Sequence, residues 1–224
     1  MKKLLAIIAI LLVILIGMII NQNIQKQNQS VSIGEVSEIE KYIQKIYLWK
    51  EVTNQALPPF ENINQANETW IWEVVKKNLE EYEIDKEKIQ EKAKELFGQD
   101  FSKKYPEEGT SSFDYDTELQ KYYPTEVSID QKEDLFLLDT IKKINDGYEV
   151  EIIEYLEDYT NAIEGKVEIK NTKEEMIASI DSNQVDELAI DLVKENKSRF
   201  SKKKVFLKKQ EENIYVIRIE EYKE

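Results

Sequence analysis

The sequence predicts an α+β protein: N-terminal helices packed on a curved antiparallel sheet, preceded by one transmembrane helix. Three observations carry this prediction. An unbroken apolar run, Leu4 to Ile20, opens the chain. Apolar residues then recur at helical spacing between about residues 36 and 97. From about residue 141 the period changes to alternation, with turn residues between the alternating runs.

The apolar run makes a helix of about 25 Å, slightly short of the roughly 30 Å hydrocarbon core, a mismatch that flanking residues and local thinning absorb. It is longer than the apolar region of a secretory signal and ends in Gly-Met-Ile-Ile-Asn-Gln-Asn, without a small-x-small cleavage site. The expectation is an uncleaved anchor, with a cleaved signal peptide as the alternative. Lys2 and Lys3 precede the run and only Lys26 follows it closely, so the N-terminus stays in the cytoplasm and the rest lies outside. The expected organisation is an anchor or signal segment over 1–20, a flexible Gln/Asn-rich stalk over 21–34, and an extracytoplasmic α+β domain over 35–224.

Composition narrows the chemistry. The chain has no Cys and no His, which removes disulfides, thiolate catalysis, imidazole zinc sites and every Ser-His or Cys-His nucleophile pair. Carboxylate chemistry, a Ser-Lys pair or an oxygen-ligated metal remain. A net charge of −14 opposes nucleic acid and anionic lipid. The one basic cluster, Lys194 to Lys209, reads as a solvated helix end and strand edge, with an anionic surface polymer as the alternative partner. No cofactor is expected.

Element by element, Ser37-Glu38-Ile39-Glu40 is a capping box opening a helix from about 37 to 55, which Leu57-Pro58-Pro59 ends. Asn67 caps a second helix with Ile71, Val74, Val75, Leu79 and Tyr82 on one face. Asp85 starts a third, which Gly98 terminates. Residues 99–134 read as a long irregular connection that is either functional or hides a short strand. Ile141 to Ile144, Asn145-Asp146-Gly147 and Tyr148-x-Val150-x-Ile152 read as a hairpin with a three-residue loop, setting Ile144 opposite Tyr148. The apolar phase slips at Ile152-Ile153, as a β-bulge in that strand would produce. Lys166–Lys170 is a candidate strand, and 183–198 is a helix striped by Val185, Leu188, Ala189, Leu192 and Val193. The chain closes on a hairpin through Val205-Phe206-Leu207 and Tyr215-x-Ile217-x-Ile219.

The runs NDGYEVEIIEY and KKVFLKKQEENIYVIRI, following helices, resemble the long strands of the nuclear-transport-factor-like (cystatin-like) α+β cone. The resemblance covers about 37–224 at the level of pattern and implies helices packed on a bulged antiparallel sheet; residues 160–200, with a helix between strands, depart from that pattern and read as an insertion. It implies company with single-pass assembly factors of secretion and conjugation machines, and the chain also resembles exported proteins of low-GC Gram-positive bacteria. No functional residue transfers through either likeness.

Candidate sites are few. Asp114, Asp116 and Glu118 alternate in an acidic stretch that suits Ca²⁺ when extended, although EF-hand spacing is absent; a solvated acidic loop is the other reading. Asp181, Asn183, Asp186 and Glu187 read as a helix N-terminus. Trp70 and Trp72 are about 200° apart on a helix, so both are core, or one joins Trp49 in a partner or carbohydrate platform. The expectation is a membrane-tethered, non-enzymatic binding or assembly module that meets the membrane through residues 4–20 and an envelope or protein partner outside. The alternatives are a carboxylate-dependent hydrolase acting on envelope glycan, and a Ca²⁺-responsive surface protein.

Overall fold

A computed structural model describes residues 31–48, 50–106, 108, 110–125 and 131–222, with the side chains of Glu51 and Val52 excepted. The apolar run Leu4–Ile20 and residues 21–30 of the expected stalk lie outside the described residues. Among the described residues no helix is long and apolar enough to cross a membrane.

The architecture is α+β, with most helices gathered before a large antiparallel sheet. Helix α1, Ile33–Ile46, begins earlier than the sequence suggests. Two Ser-x-x-Glu motifs compete five positions apart, and the earlier one forms the box: Ser32 accepts from the Glu35 amide, and Glu35 accepts from the Ser32 amide at 2.8 Å. Glu35 also accepts from the Tyr148 hydroxyl and pairs with Lys143, both at 2.9 Å, so the sheet selects the upstream motif. The last residues assigned to the stalk, 32–34, therefore belong to the helix and its cap. The helix also stops at Ile46, and a separate short turn, α2, spans Lys50–Thr53.

Helix α3, Glu68–Lys77, is capped by Asn67, whose side chain accepts from the Trp70 amide at 3.1 Å. It ends before Leu79, and Tyr82 is exposed rather than on the buried face. Helix α4, Lys86–Phe97, stops at Gly98, which adopts φ +90°. A side chain there is strained, and its Cβ meets the Tyr215 ring at 3.2 Å. The stretch after α4 hides two strands, β1 (Phe113–Asp116) and β2 (Lys121–Pro124), paired antiparallel.

Six strands form the main sheet: β3 (Lys132–Ile144), β4 (Gly147–Asp158), β5 (Lys166–Lys170), β6 (Met176–Asp181), β7 (Ser201–Gln210) and β8 (Asn213–Glu221). Helix α5, Val185–Glu195, joins β6 to β7. All neighbouring strands are antiparallel. Strand β4 pairs along one edge with the whole of β3. Its other edge is shared: residues 147–154 pair with β7, and only 156–158 pair with β5. The sheet forks there, into β7-β8 and β5-β6.

The β3–β4 hairpin turns through two residues, Asn145 and Asp146, placing Ile144 opposite Gly147 and Lys143 opposite Tyr148. This corrects the expected three-residue loop. Gly147 is needed because a Cβ there would sit 1.9 Å from the Leu207 carbonyl oxygen of β7. The apolar phase change at Ile152-Ile153 is present, but its cause differs from the expected bulge. Strand β4 runs in unbroken register against β7 from Gly147 to Glu154. The one-residue shift sits on β3, between Leu138 and Thr140, which leaves Asp139 as the extra residue.

The phase changes because β4 serves two cores. Tyr148, Val150 and Ile152 enter the larger one, with Trp70, Ile71, Phe97, Val205 and Val216. Ile153 and Tyr155 point the other way, into a smaller core with Val167, Ile169, Ile180, Ala189 and Val193. The bulge at Asp139 lets Phe136, Leu138 and Ile141 all reach the larger core. A second shift, between Phe206 and Leu207 against β8, makes Ile217 the extra residue. The buried side chains of β8 are thus Ile214, Val216 and Ile219, while Ile217 is exposed, against the simple alternation expected.

Candidate functional site: a polar cleft at the sheet fork

The face of β4 that carries Tyr148, Val150 and Ile152 continues to Glu154, beyond the larger core. On β7 the face that carries Leu207 and Val205 continues to Lys203. Both charged side chains are therefore aimed at the interior by alternation, and both are buried. Lys203 Nζ lies 3.5 Å from Glu154 Oε2 and donates to the Leu57 carbonyl oxygen. Burial raises the proton affinity of Glu154; the Lys203 charge and hydrogen bond oppose that, and Asp134 and Glu221 add to it.

Above this pair opens a cleft of about 540 Å³, within the range of small-molecule sites. Its walls come from the loop after α2, the start of β3, the β5–β6 turn, and the start of β7 beside the end of β8. Tyr47 and Asp134 flank one side, Thr172 and Ser201 another, and Lys202, Glu221 and Tyr222 the rim. Several polar groups are fixed by partners of their own. The Lys50 amide donates to Asp134 at 2.7 Å, and Lys50 Nζ donates to the Thr172 carbonyl at 2.7 Å. Tyr47 donates to the Leu135 carbonyl at 3.0 Å, and the Thr172 and Ser201 hydroxyls bond each other. Asn54, also on the wall, adopts φ +61°, a left-handed conformation that Asn tolerates better than most residues.

The residues singled out from sequence lie elsewhere. Trp70 and Trp72 are both core side chains. The Trp70 indole donates to the Ala56 carbonyl at 3.1 Å, and Trp72 packs edge-on against Tyr105 at 4.9 Å. Neither presents a face to a partner, and Trp49 lies outside the described residues. The tyrosines near 105–123 form an aromatic cluster rather than a cleft: Tyr105 meets Phe113 and Tyr122 edge-on at 5.6 and 5.2 Å. Asp114 and Asp116 lie on β1, with Glu118 in the turn after it, and Asp116 accepts from the Glu118 and Leu119 amides at 2.8 and 2.9 Å. Among the described residues no three acidic side chains gather as metal ligands.

The basic stretch divides by strand alternation. Lys202 and Lys204 point to the outer side, Lys202 toward Asp139 and Lys204 toward Glu149 and Glu151, while Lys203 points inward. The missed site did leave a trace: Glu154 and Lys203 occupy apolar-phase positions between Ile152 and Leu156 and before Val205. No family model matches this chain, and no curated protein or solved structure matches it either.

Proposed function

We propose that the chain is a binding module, held at the outer face of a membrane by Leu4–Ile20, whose recognition site is the cleft at the sheet fork. One observation carries the binding reading: two buried, opposite charges side by side at the base of an open cavity. A buried ion pair costs several kcal/mol in desolvation and contributes weakly to stability, so its presence at a cavity floor points to use. The tether is supported by the length of the apolar run and the two lysines before it. The cone-like resemblance is kept within this proposal, supported by the run β3-β4-β7-β8 with helices on one face. The interior of that cone is filled by its own aromatic side chains, which moves the recognition site to the fork.

A second reading, a carboxylate-dependent hydrolase, has one observation in its favour: Glu154, with raised proton affinity, shares the cleft with Asp134 and Glu221. Against it, the lysine beside Glu154 favours its ionised form, which opposes a role as proton donor.

The test is protease treatment of intact cells producing the full chain, combined with chemical-shift mapping of the detergent-solubilised chain against a library of small polar molecules. The proposal expects digestion of the domain without lysis, and shifts confined to residues near 50, 134, 154, 172, 201–203 and 222. Protection until lysis contradicts the placement, and shifts mapping elsewhere contradict the site.

A further inference from the structure

We infer that the cleft takes a small zwitterion, a free α-amino acid, whose ammonium meets Glu154 and whose carboxylate meets Lys203. This rests on the cleft being the recognition site, and it adds the chemical class of the ligand.

The charges of the lining decide the class. The chain carries a net charge of −14, yet the cleft brings both signs together: Lys50 and Lys203 inside with Lys202 at the rim, and the carboxylates of Asp134, Glu154 and Glu221. A site for an anion or a cation alone would show one sign in excess. A balanced site selects a ligand that carries both.

The floor pair is also incomplete. An ammonium has three donors, and Lys203 has two described acceptors, the Leu57 carbonyl and Glu154. A carboxylate has about four acceptor positions, and the only described partner of Glu154 is Lys203, at a loose 3.5 Å. Charge-assisted hydrogen bonds are usually about 2.7–2.9 Å. An amino acid placed across the two closes a ring of alternating charges, so that each buried ion gains a second opposite neighbour. The remaining volume takes the side chain, for which Tyr47, Phe200 and Tyr222 provide aromatic surface.

The other lysines are poorer candidates for the carboxylate contact. Lys50 Nζ is held by the Thr172 carbonyl, and Lys202 is drawn to Asp139 at 3.2 Å on the outer side. Lys203 alone is buried at the floor.

The experiment is titration calorimetry on the full chain in detergent micelles. The twenty common amino acids are tested singly, then N-acetyl and carboxamide derivatives of any that bind, then a neutral disaccharide. The expected result is saturable binding of at least one free amino acid, weakened at least tenfold by blocking either end. Glu154→Gln, nearly isosteric, is expected to weaken it at least tenfold; because it leaves the buried Lys203 without its counter-charge, its binding is measured below the variant's own thermal midpoint, where it is folded. Blocked derivatives need no mutation, so the outcome stands even if a variant misfolds. Equal binding of blocked and free forms, or no binding of any amino acid, overturns the inference. If the disaccharide binds instead and Glu154→Gln abolishes it, the cleft reading survives and the ligand class falls. If no probe binds and none shifts cleft resonances, both fall.

Discussion

Residues 147–152 and 153–158 are halves of one strand, packed in opposite ways. The first half is apolar on one face only, against α1, α3 and α4, and its other face carries Glu149 and Glu151 in ion pairs with Lys204 at 3.4 and 3.6 Å. The second half is buried on both faces, with Ile153 and Tyr155 in the smaller core and Glu154 and Asp158 among polar partners. The hydrogen-bonding support differs too. Eight consecutive pairs join β4 to β7, whereas three join it to β5. A strand passing from one core to the other leaves a seam, and the cleft opens at that seam.

The largest expected effects separate the two cores. Trp70→Ala removes a fully buried indole and its bond to Ala56, and is expected to cost about 3–5 kcal/mol across the whole domain in urea unfolding. Ile169→Ala, in the smaller core, is expected to cost about 2–5 kcal/mol, felt first as lost amide protection in β5, β6 and α5. Equal loss of protection everywhere in both variants breaks the distinction.

The seam itself is probed by Lys203→Met, which leaves Glu154 buried without its counter-charge. The expected cost is about 3–5 kcal/mol near neutral pH, read from urea midpoints. Glu154 is raised by burial above its ordinary 4.5 even with Lys203 present, so the folded state binds the extra proton and stability falls as pH rises above that value. Removing Lys203 deepens that fall, and the cost therefore shrinks as the pH is lowered toward 5. Asp158, across the seam, behaves in the opposite sense. Burial pushes it up, but hydrogen bonds from Lys170 and Thr160 outweigh that and hold it at about 2, against an ordinary 3.8. Its stabilisation is present above its ordinary value and is lost as pH falls toward 2. A wild-type profile that is flat from neutral down to pH 2 contradicts both assignments.

A smaller effect tests how α1 is tied to the first half of the sheet. Ser32→Ala removes the capping box and is expected to cost about 1 kcal/mol, while Ser37→Ala, inside the helix, costs less. The reverse order would restore the downstream motif as the helix start.

These packing differences explain what was legible in the residues. The cap at Asn67 and the stop at Gly98 were readable because they depend on neighbours in sequence. Asp85 marks the start of its helix by position, although its side chain makes no cap bond and accepts from Lys121 instead. The choice of Ser32 over Ser37 was not, because Lys143 and Tyr148 make it from far along the chain. The phase change at Ile152-Ile153 was visible, but a change of core and a bulge leave the same pattern in one strand, and only the pairing with β3 and β7 separates them. The indoles at 70 and 72 drew attention as rare residues, whereas the cleft is built from common Glu and Lys residues. Their meaning lies in strand parity and in the fork, which no local motif records.

The most direct test of the divided sheet is native-state amide exchange of the full chain in increasing urea. The two-core account predicts that amides of β5, β6 and α5 exchange through an opening of lower free energy and smaller urea dependence than those of α3, β7 and the first half of β4. Convergence of all these amides on a single opening free energy at low urea would contradict it.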